Sequence, residues 1–291
     1  MVNLQKIKQS KTTAELLEFS IINIDKSSGP TSFTVSHFLK KTIGTKKTSH
    51  FGTLDPKVTG VLPVALNRAC KLSGYFLGED KTYVGIMRIH ENIELEKIQE
   101  KINEKFIGEI IQMPPVKSRV KRQLRPRTIY KFKVLEKKNK DVLFEVKCQG
   151  GTYVRTLCVD LGKALGIGAH MLELRRIQAG IFSESRIINL YEFDKAFEEY
   201  KNGNDKDLRE MLIPGEIVSE VIRPIEIKED NIESLFVGKP LRNEDIIGNP
   251  KLKKEEIISI FAKDRFIGIY KYLGEEDIFA KSEFVMQPIK N

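Results

Sequence analysis

Asp55 lies in a Gly/Thr/Pro-rich loop, His50-Phe51-Gly52-Thr53-Leu54-Asp55-Pro56-Lys57-Val58-Thr59-Gly60, that runs straight into the apolar stretch 61–66. Between Asp25 and Glu79 it is the only carboxylate, and the same interval carries Lys26, Lys40, Lys41, Lys46, Lys47, Lys57, Arg68 and Lys71. Neighbouring positive charge favours the ionised form of such a group. A carboxylate so placed suits attack on, or electrostatic partnership with, a polyanionic substrate. The competing reading is a plain Asp-Pro turn. Arg155 is a second candidate: it follows Gly150-Gly151-Thr152-Tyr153 and falls off the apolar stripe of Val154, Leu157, Cys158 and Leu161. It is free to reach across a cleft or to form a solvated ion pair. Exposed amides at that helix start would attract an anion such as phosphate. Tyr83 heads a strand-like run after the acidic turn Glu79-Asp80. It reads either as a half-buried strand residue or as an aromatic that stacks on an unstacked base and relays a proton through its phenol. His50 stands close enough to Asp55 to line the same loop, whereas His37, His90 and His170 show no partner logic and are read as structural.

A dense basic segment accompanies these residues. Positions 117–133 contain Lys117, Arg119, Lys121, Arg122, Arg125, Arg127, Lys131 and Lys133 and no acid. Because the run passes directly into a predicted strand at Tyr130, an ordered phosphate-contacting ribbon is favoured over a solvated basic edge or a nuclear-import signal. Charge is uneven along the 291 residues: the net +9 divides into +12 over residues 1–214 and −3 over residues 215–291, where 12 Lys/Arg face 15 Asp/Glu. The larger part is therefore the expected polyanion binder.

The elements that must hold these residues can be read from periodicity. A short helix built on Val35, Phe38 and Leu39 is predicted to end near Gly44. Strands are predicted over 61–66, 81–90 and 171–177. Leu95, Ile98, Ile102 and Phe106 have helical spacing. Tyr130, Phe132 and Val134 alternate, as do Val142, Phe144, Val146 and Cys148, which gives an antiparallel pair joined by the turn 136–141. This mixture is an α+β pattern. The domain division expected is a polar, loosely held extension over 1–22, a catalytic domain over 23–214 and a small β-rich module over 215–291, with strands 257–261 and 266–270 around a four-residue hairpin loop. Cys70, Cys148 and Cys158 are scattered and have no metal or disulfide spacing. Residues 1–20 lack a signal-peptide pattern and no apolar run is long enough for a membrane span, so a cytoplasmic location with no membrane partner is expected.

Five stretches then occur in order: Lys26-Ser27-Ser28-Gly29-Pro30-Thr31-Ser32; Gly52-Thr53-Leu54-Asp55-Pro56 with Thr59-Gly60-Val61-Leu62-Pro63; Lys81-Thr82-Tyr83; Gly151-Thr152-Tyr153-Val154-Arg155-Thr156-Leu157; and Glu173-Leu174-Arg175-Arg176. The series resembles the TruB family of RNA pseudouridine synthases over about residues 21–190. Lys57-Val58, the Pro114-Pro115 segment running into 117–130, and Gly168-Ala169-His170-Met171 look like its archaeal, dyskerin-type branch, the catalytic subunit of box H/ACA guide particles. The resemblance implies a pseudouridine synthase fold: a mixed, largely antiparallel sheet with flanking helices, followed by a small C-terminal β-barrel similar to a PUA domain. It implies isomerisation of uridine, at the T-loop uridine of transfer RNA and/or in ribosomal RNA, with no cofactor and no metal. Asp55 matches the family's nucleophile, Tyr83 the stacking and proton-relaying tyrosine, and Arg155 the arginine that pairs with the aspartate. His50, Tyr153, Leu174 and Lys26 are expected to bind the substrate nucleotide. Lys117, Arg119, Lys121, Arg122, Arg125 and Arg127 are expected to bind RNA backbone. The implied partners are transfer RNA, or a guide RNA with its substrate RNA, and small H/ACA proteins. The alternative is a non-catalytic RNA-binding scaffold, against which the presence of Asp55, Tyr83 and Arg155 together argues.

Overall fold

The computed structural model describes residues 2–115, 120–230, 232–275 and 277–288. The elements around the site are helices α1 (Leu4–Ser10) and α2 (Thr13–Glu18), strand β1 (Ser20–Lys26), helix α3 (Ser32–Ile43), strands β2 (Thr59–Leu66) and β3 (Lys81–Ile89), helix α4 (Leu95–Lys105), strands β4 (Gly108–Gln112), β5 (Arg125–Lys138) and β6 (Asp141–Cys148), helix α5 (Val154–Ala164) and strand β7 (Ala169–Ala179). They form a ten-stranded sheet in the order Ile213–Pro214, β1, β2, β7, β3, β6, β5, β4, with Thr48–His50 added on β2 and Phe182–Ser183 on β7. The pairing is antiparallel except between β2 and β7, which run parallel through Thr59↔Arg175 and Gly60↔Arg176. That one parallel seam joins the strand leaving the Asp55 loop to the strand carrying Leu174, Arg175 and Arg176.

β2 is apolar without a break because both of its faces are covered, as expected for a central strand. Leu62, Val64 and Leu66 enter the main core with Val35, Met87, Phe144 and Leu157. Val61 and Ala65 point the other way, into a second core with Ile7, Phe19, Ile21, Val218, Ile222, Phe266 and Phe284. α3 starts on a Thr31 cap, whose hydroxyl accepts from the Thr34 amide, and stops at Gly44 in the left-handed region.

The C-terminal module is a five-stranded sheet of β8 (Pro224–Glu226), β9 (Leu241–Arg242), β10 (Ile257–Ala262), β11 (Arg265–Tyr272) and β12 (Ile278–Val285), in the order β8-β10-β11-β12-β9. Its own core contains Ile225, Leu235, Ile258, Ile260, Ile267 and Phe279. The β10–β11 hairpin differs from expectation. Ala262 pairs with Arg265, so the loop is the two residues Lys263 and Asp264, not four. Lys263 takes the positive φ (51°) that a tight hairpin requires.

The first 22 residues are not a loose extension. Ile7, Leu16 and Phe19 are fully buried, and Ser20 already begins β1. Thr12 and Glu15 form a capping box at the start of α2. Arg209 donates to the carbonyls of Lys8 and Lys11, Lys6 pairs with Asp264 at 2.5 Å, and Phe19 stacks on Phe266 with ring centroids 5.6 Å apart. Ten of the 22 residues are apolar but scattered among polar ones, and Ile7 and Phe19 are buried in one core with Val218, Phe266 and Phe284 from the far end of the chain, which composition does not reveal.

Candidate active site

Asp55 is presented by a turn that its neighbours hold rigid. Val58 N–H donates to the Asp55 carbonyl at 2.9 Å, with Pro56 presetting the first turn position. Leu54 and Val58, on either side, are buried in the main core. The Ser32 hydroxyl accepts from the Leu54 amide at 2.8 Å and donates to its carbonyl at 3.1 Å. From below, the buried Lys26 ammonium donates to the carbonyls of Ser27, Pro56 and Val58 at 2.8–2.9 Å. All three of its N–H bonds are thus spent on main chain. Lys26 fixes the loop from inside and does not face a substrate, contrary to the sequence expectation, because a short apolar turn leaves carbonyls that only a buried donor can satisfy.

With its flanks anchored inward, the Asp55 carboxylate points out. Arg155, in the first turn of α5, donates through Nη2 to Asp55 Oδ2 at 2.6 Å, and each side chain is 53 % exposed. An ion pair this open contributes at most about 1 kcal/mol to folding. Its effect is to aim the carboxylate. The start of α5 is itself pinned: buried Gln112, at the end of β4, accepts from the Tyr153 amide at 3.0 Å and donates to the Tyr153 carbonyl at 3.2 Å. The side chain of Tyr153 is half-buried beside Arg155 in sequence.

Tyr83 projects from β3 into the main core and is 8 % exposed. Burial pushes its phenol up, opposed by the charge of Arg176, its register partner on β7; the Asp55 charge also reaches it. Leu174 lies opposite Gly85, two register pairs along from Tyr83 and on the same face, and is buried in the same core. His50 is half-buried on the short Thr48–His50 strand, with Nε2 3.1 Å from the Thr53 hydroxyl. Burial and the charge of Arg176 push its imidazole down, which favours the neutral ring at pH 7.

Of the basic segment, Lys117 and Arg119 fall outside the described residues. Lys121 and Arg122 are exposed. Arg125 and Arg127 are half-buried at the start of β5, where Arg125 pairs with Gln112 and Arg127 lies against Gly151. This end of the β4–β5 ribbon therefore borders the start of α5. The Gly150-Gly151 pair is used for packing: a side chain at position 150 would stand 2.9–3.0 Å from the carbonyls of Leu77, Gly78 and Glu79, and one at 151 would meet the Arg127 guanidinium.

Sequence reasoning missed three buried polar residues: Gln112, Lys81 and Arg176. A lone Gln or Lys carries no signal. Arg176 had one, since it follows Leu174 by two positions on a strand and so shares its inward face. Arg176 is 1 % exposed; its Nε donates to the Val61 carbonyl at 2.8 Å and its Nη2 to the Gly52 carbonyl at 2.9 Å. Arg175, on the other face, holds Asp25 through two bonds of 3.0 and 3.2 Å. Among the described residues, Lys26, Lys81 and Arg176 have no carboxylate within ion-pair distance.

Lys81 donates to the Leu77 and Glu79 carbonyls, and burial together with Arg176 pushes it down to about 8 from the usual 10.5. Below that pH the ammonium is charged in both folded and unfolded chains, and folding bears the cost of burying it. Between about 8 and 10.5 the unfolded chain binds more protons, so this residue's contribution to stability rises with pH. Urea melts of the wild type and Lys81→Met are expected to diverge in favour of the wild type as pH climbs through that window. A difference independent of pH would show that burial does not depress the Lys81 ammonium.

Comparisons with known proteins identify the fold and the family. In overall structure the chain is similar to the crystal structure of a Cbf5-Nop10-Gar1 complex, with a TM-score of 0.89, 35% identity, and 97% of this chain and 89% of that one covered. It is similar to the same extent of coverage to an H/ACA RNP bound to a substrate RNA containing 2'-deoxyuridine, with a TM-score of 0.88 and 33% identity. The fold is that of a pseudouridine synthase, an RNA-modifying isomerase. The TruB family pseudouridylate synthase N-terminal domain matches residues 40–154, and the tRNA pseudouridylate synthase B C-terminal domain matches residues 155–226. Probable tRNA pseudouridine synthases B from Methanopyrus kandleri and Methanococcus aeolicus are 40% and 42% identical to it, covering 87% and 89% of this chain and 75% and 79% of theirs. The chain belongs to the TruB family of pseudouridine synthases.

Proposed function

We propose that this enzyme isomerises uridine in transfer RNA and/or in guide-selected RNA, with Asp55 as the nucleophile, Arg155 aiming it and Tyr83 stacking on the base and moving a proton. The observation that carries the reading is the 2.6 Å Asp55–Arg155 pair, made by residues 100 positions apart and left open to solvent on both sides. In the reaction the N1–C1′ bond breaks, C1′ joins C5, N1 gains a proton and the C5 proton is lost, so no redox partner is required. The carboxylate that adds and later departs divides this into easier steps. The target nucleotide must leave its stack to reach Asp55, at a cost of a few kcal/mol. Backbone contacts from the basic β4–β5 ribbon offset it. His50, Tyr153 and Leu174 are assigned to the uracil pocket.

The matched structures are named as complexes with Nop10, with Gar1 and with substrate RNA. By that analogy small proteins and a guide RNA are partners of this chain, the C-terminal sheet serves as a PUA-like RNA-binding module, and the enzyme works in the cytoplasm with its RNA. Release of tritium from C5-labelled uridine, first with a transfer RNA transcript alone and then with guide RNA and small H/ACA proteins added, tests the reading. Turnover in at least one format is expected, and none in either would overturn it. Replacing Lys121 and Arg122 by Ala is expected to weaken RNA binding and to flatten the log–log salt dependence by about one unit per lost phosphate contact. An unchanged slope would make these residues a solvated edge.

A further inference from the structure

Helix α3 has two opposed faces. Val35, Leu39 and Thr42 share one of them by helical spacing. Val35 and Leu39 enter the main core, and the Thr42 hydroxyl donates to Asp194 of the helix Leu190–Lys201 at 3.5 Å. The opposite face carries Phe33, His37 and Lys40, with Lys41 beside them, all exposed. The Phe33 ring is 68 % exposed and stacks with the His37 imidazole, centroids 5.8 Å apart and planes 16° apart. A lone exposed ring would need no explanation. Two near-parallel rings followed along the same stripe by cations are a different matter. Residues 26–54 contain no Asp or Glu, and Lys46 and Lys47, in the loop after the helix, are exposed as well. The platform is also fixed to the site. Ser32, just before Phe33, is bonded to Leu54, just before Asp55. The Thr48 hydroxyl donates to the Ser36 carbonyl at 3.0 Å, which ties α3 to the strand that ends at His50. From Phe33 the stripe runs about 12 Å along the helix to Lys41, at 1.5 Å per residue.

We propose that this face of α3 is a stacking platform for an unpaired base of the RNA that flanks the target nucleotide. The base lies on the Phe33 ring, with His37 extending the surface, and the adjoining phosphates run past Lys40, Lys41, Lys46 and Lys47. Aromatic side chains take the faces of unpaired bases, and cations beside them track the backbone. The charge pattern selects RNA over an apolar protein segment: the stripe ends in lysines, and its stretch of chain holds no carboxylate to repel phosphate. Anchored to both Leu54 and the His50 strand, the platform holds a neighbour in place while the target is swung out to Asp55, so that extrusion does not loosen the rest of the strand. The inference rests on the RNA-modifying reading given above and adds to it a surface outside the uracil pocket.

The test is filter binding of a transfer RNA transcript, and of guide RNA with its substrate RNA and small H/ACA proteins, beside tritium release with the same RNA. Phe33→Ala is expected to weaken binding of the format that the wild type turns over by about tenfold, the loss of one stacked base, with an unchanged log–log salt slope. Phe33→Leu, apolar but without a ring, is expected to match it, and Phe33→Trp to retain wild-type affinity. The chain has no tryptophan, so Phe33→Trp also supplies a single fluorophore, whose emission is expected to be quenched when RNA is added. Lys40→Gln with Lys41→Gln is expected to weaken binding and to flatten the salt slope by about 0.7 unit per lost single-strand phosphate contact. Phe33 is exposed and outside the core, so unfolding midpoints are expected to stay at the wild-type value in all of its variants. Wild-type affinity in Phe33→Ala, or an unquenched Phe33→Trp, would overturn the platform and leave the isomerase reading standing. A loss seen only in assembly with the small proteins would also overturn it and make α3 a protein-docking face. No turnover by the wild type in either format would overturn both.

Discussion

Asp55→Asn is expected to abolish isomerisation, with a loss of at least about a thousandfold in the single-turnover rate, while RNA affinity stays within a few-fold. The substitution changes almost nothing else. The turn is closed by main-chain groups, Val58 N–H on the Asp55 carbonyl, and by Lys26 and Ser32 on neighbouring carbonyls and amides. None of these contacts uses the carboxylate. The Asn amide oxygen can still accept from Arg155, and the ion pair it replaces lies too open to solvent to support the fold by more than about 1 kcal/mol. What is lost is the negative charge and the nucleophilic oxygen, so no adduct with the nucleoside can form. On the proposed reading binding is carried elsewhere, by cations along the β4–β5 ribbon, and is expected to persist. The measurement is tritium release beside a filter-binding titration of the same RNA. Asp55→Asn with wild-type rates would remove the catalytic assignment and leave the RNA-binding scaffold as the better reading.

Gly60→Ala is expected to be the most damaging single methyl group near the site, lowering unfolding free energy by more than about 3 kcal/mol. Gly60 opens β2 five residues after Asp55, with φ at +99°, and an added Cβ would lie 2.2 Å from the Arg176 carbonyl and 3.0 Å from the Arg175 side chain. The obstacle is backbone, so relief requires β2 to separate from β7 at the one parallel seam of the sheet. Separation there also pulls the Val61 carbonyl away from Arg176. Gly29→Ala is the control. It too has positive φ (+112°), but open space surrounds the added methyl, so only the backbone strain of about 1–2 kcal/mol applies. Thermal and urea unfolding of the two variants separate the close strand contact from conformational strain; similar losses in both would show that the seam can relax.

Much of the framework was legible in the chain because its causes are local. The apolar period of Leu95, Ile98 and Ile102 makes a helix wherever it docks. The alternation of Val142, Phe144 and Val146 makes a strand with one face inward. The docking of the N-terminal segment was not legible, since its helices are only seven and six residues long and Ile7 and Phe19 are buried with Val218, Phe266 and Phe284 from the far end of the chain. Lys26 was assigned to the substrate on its place in a motif. Whether an ammonium faces solvent or three carbonyls depends on a fold around it that no spacing records.

The residues able to do chemistry, Asp55, Tyr83 and Arg155, and their order along the chain follow from the sequence alone, because side-chain type and turn or helix preference are properties of a few adjacent residues. Their meeting belongs to the tertiary structure. Arg155 reaches Asp55 across 100 positions only after β4 has clamped the start of α5 through Gln112. Arg176 reaches the Asp55 loop and Tyr83 together only because β7 is inserted between β2 and β3. Those contacts depend on which distant strands pair, and strand pairing is chosen by the closure of the whole sheet over its core.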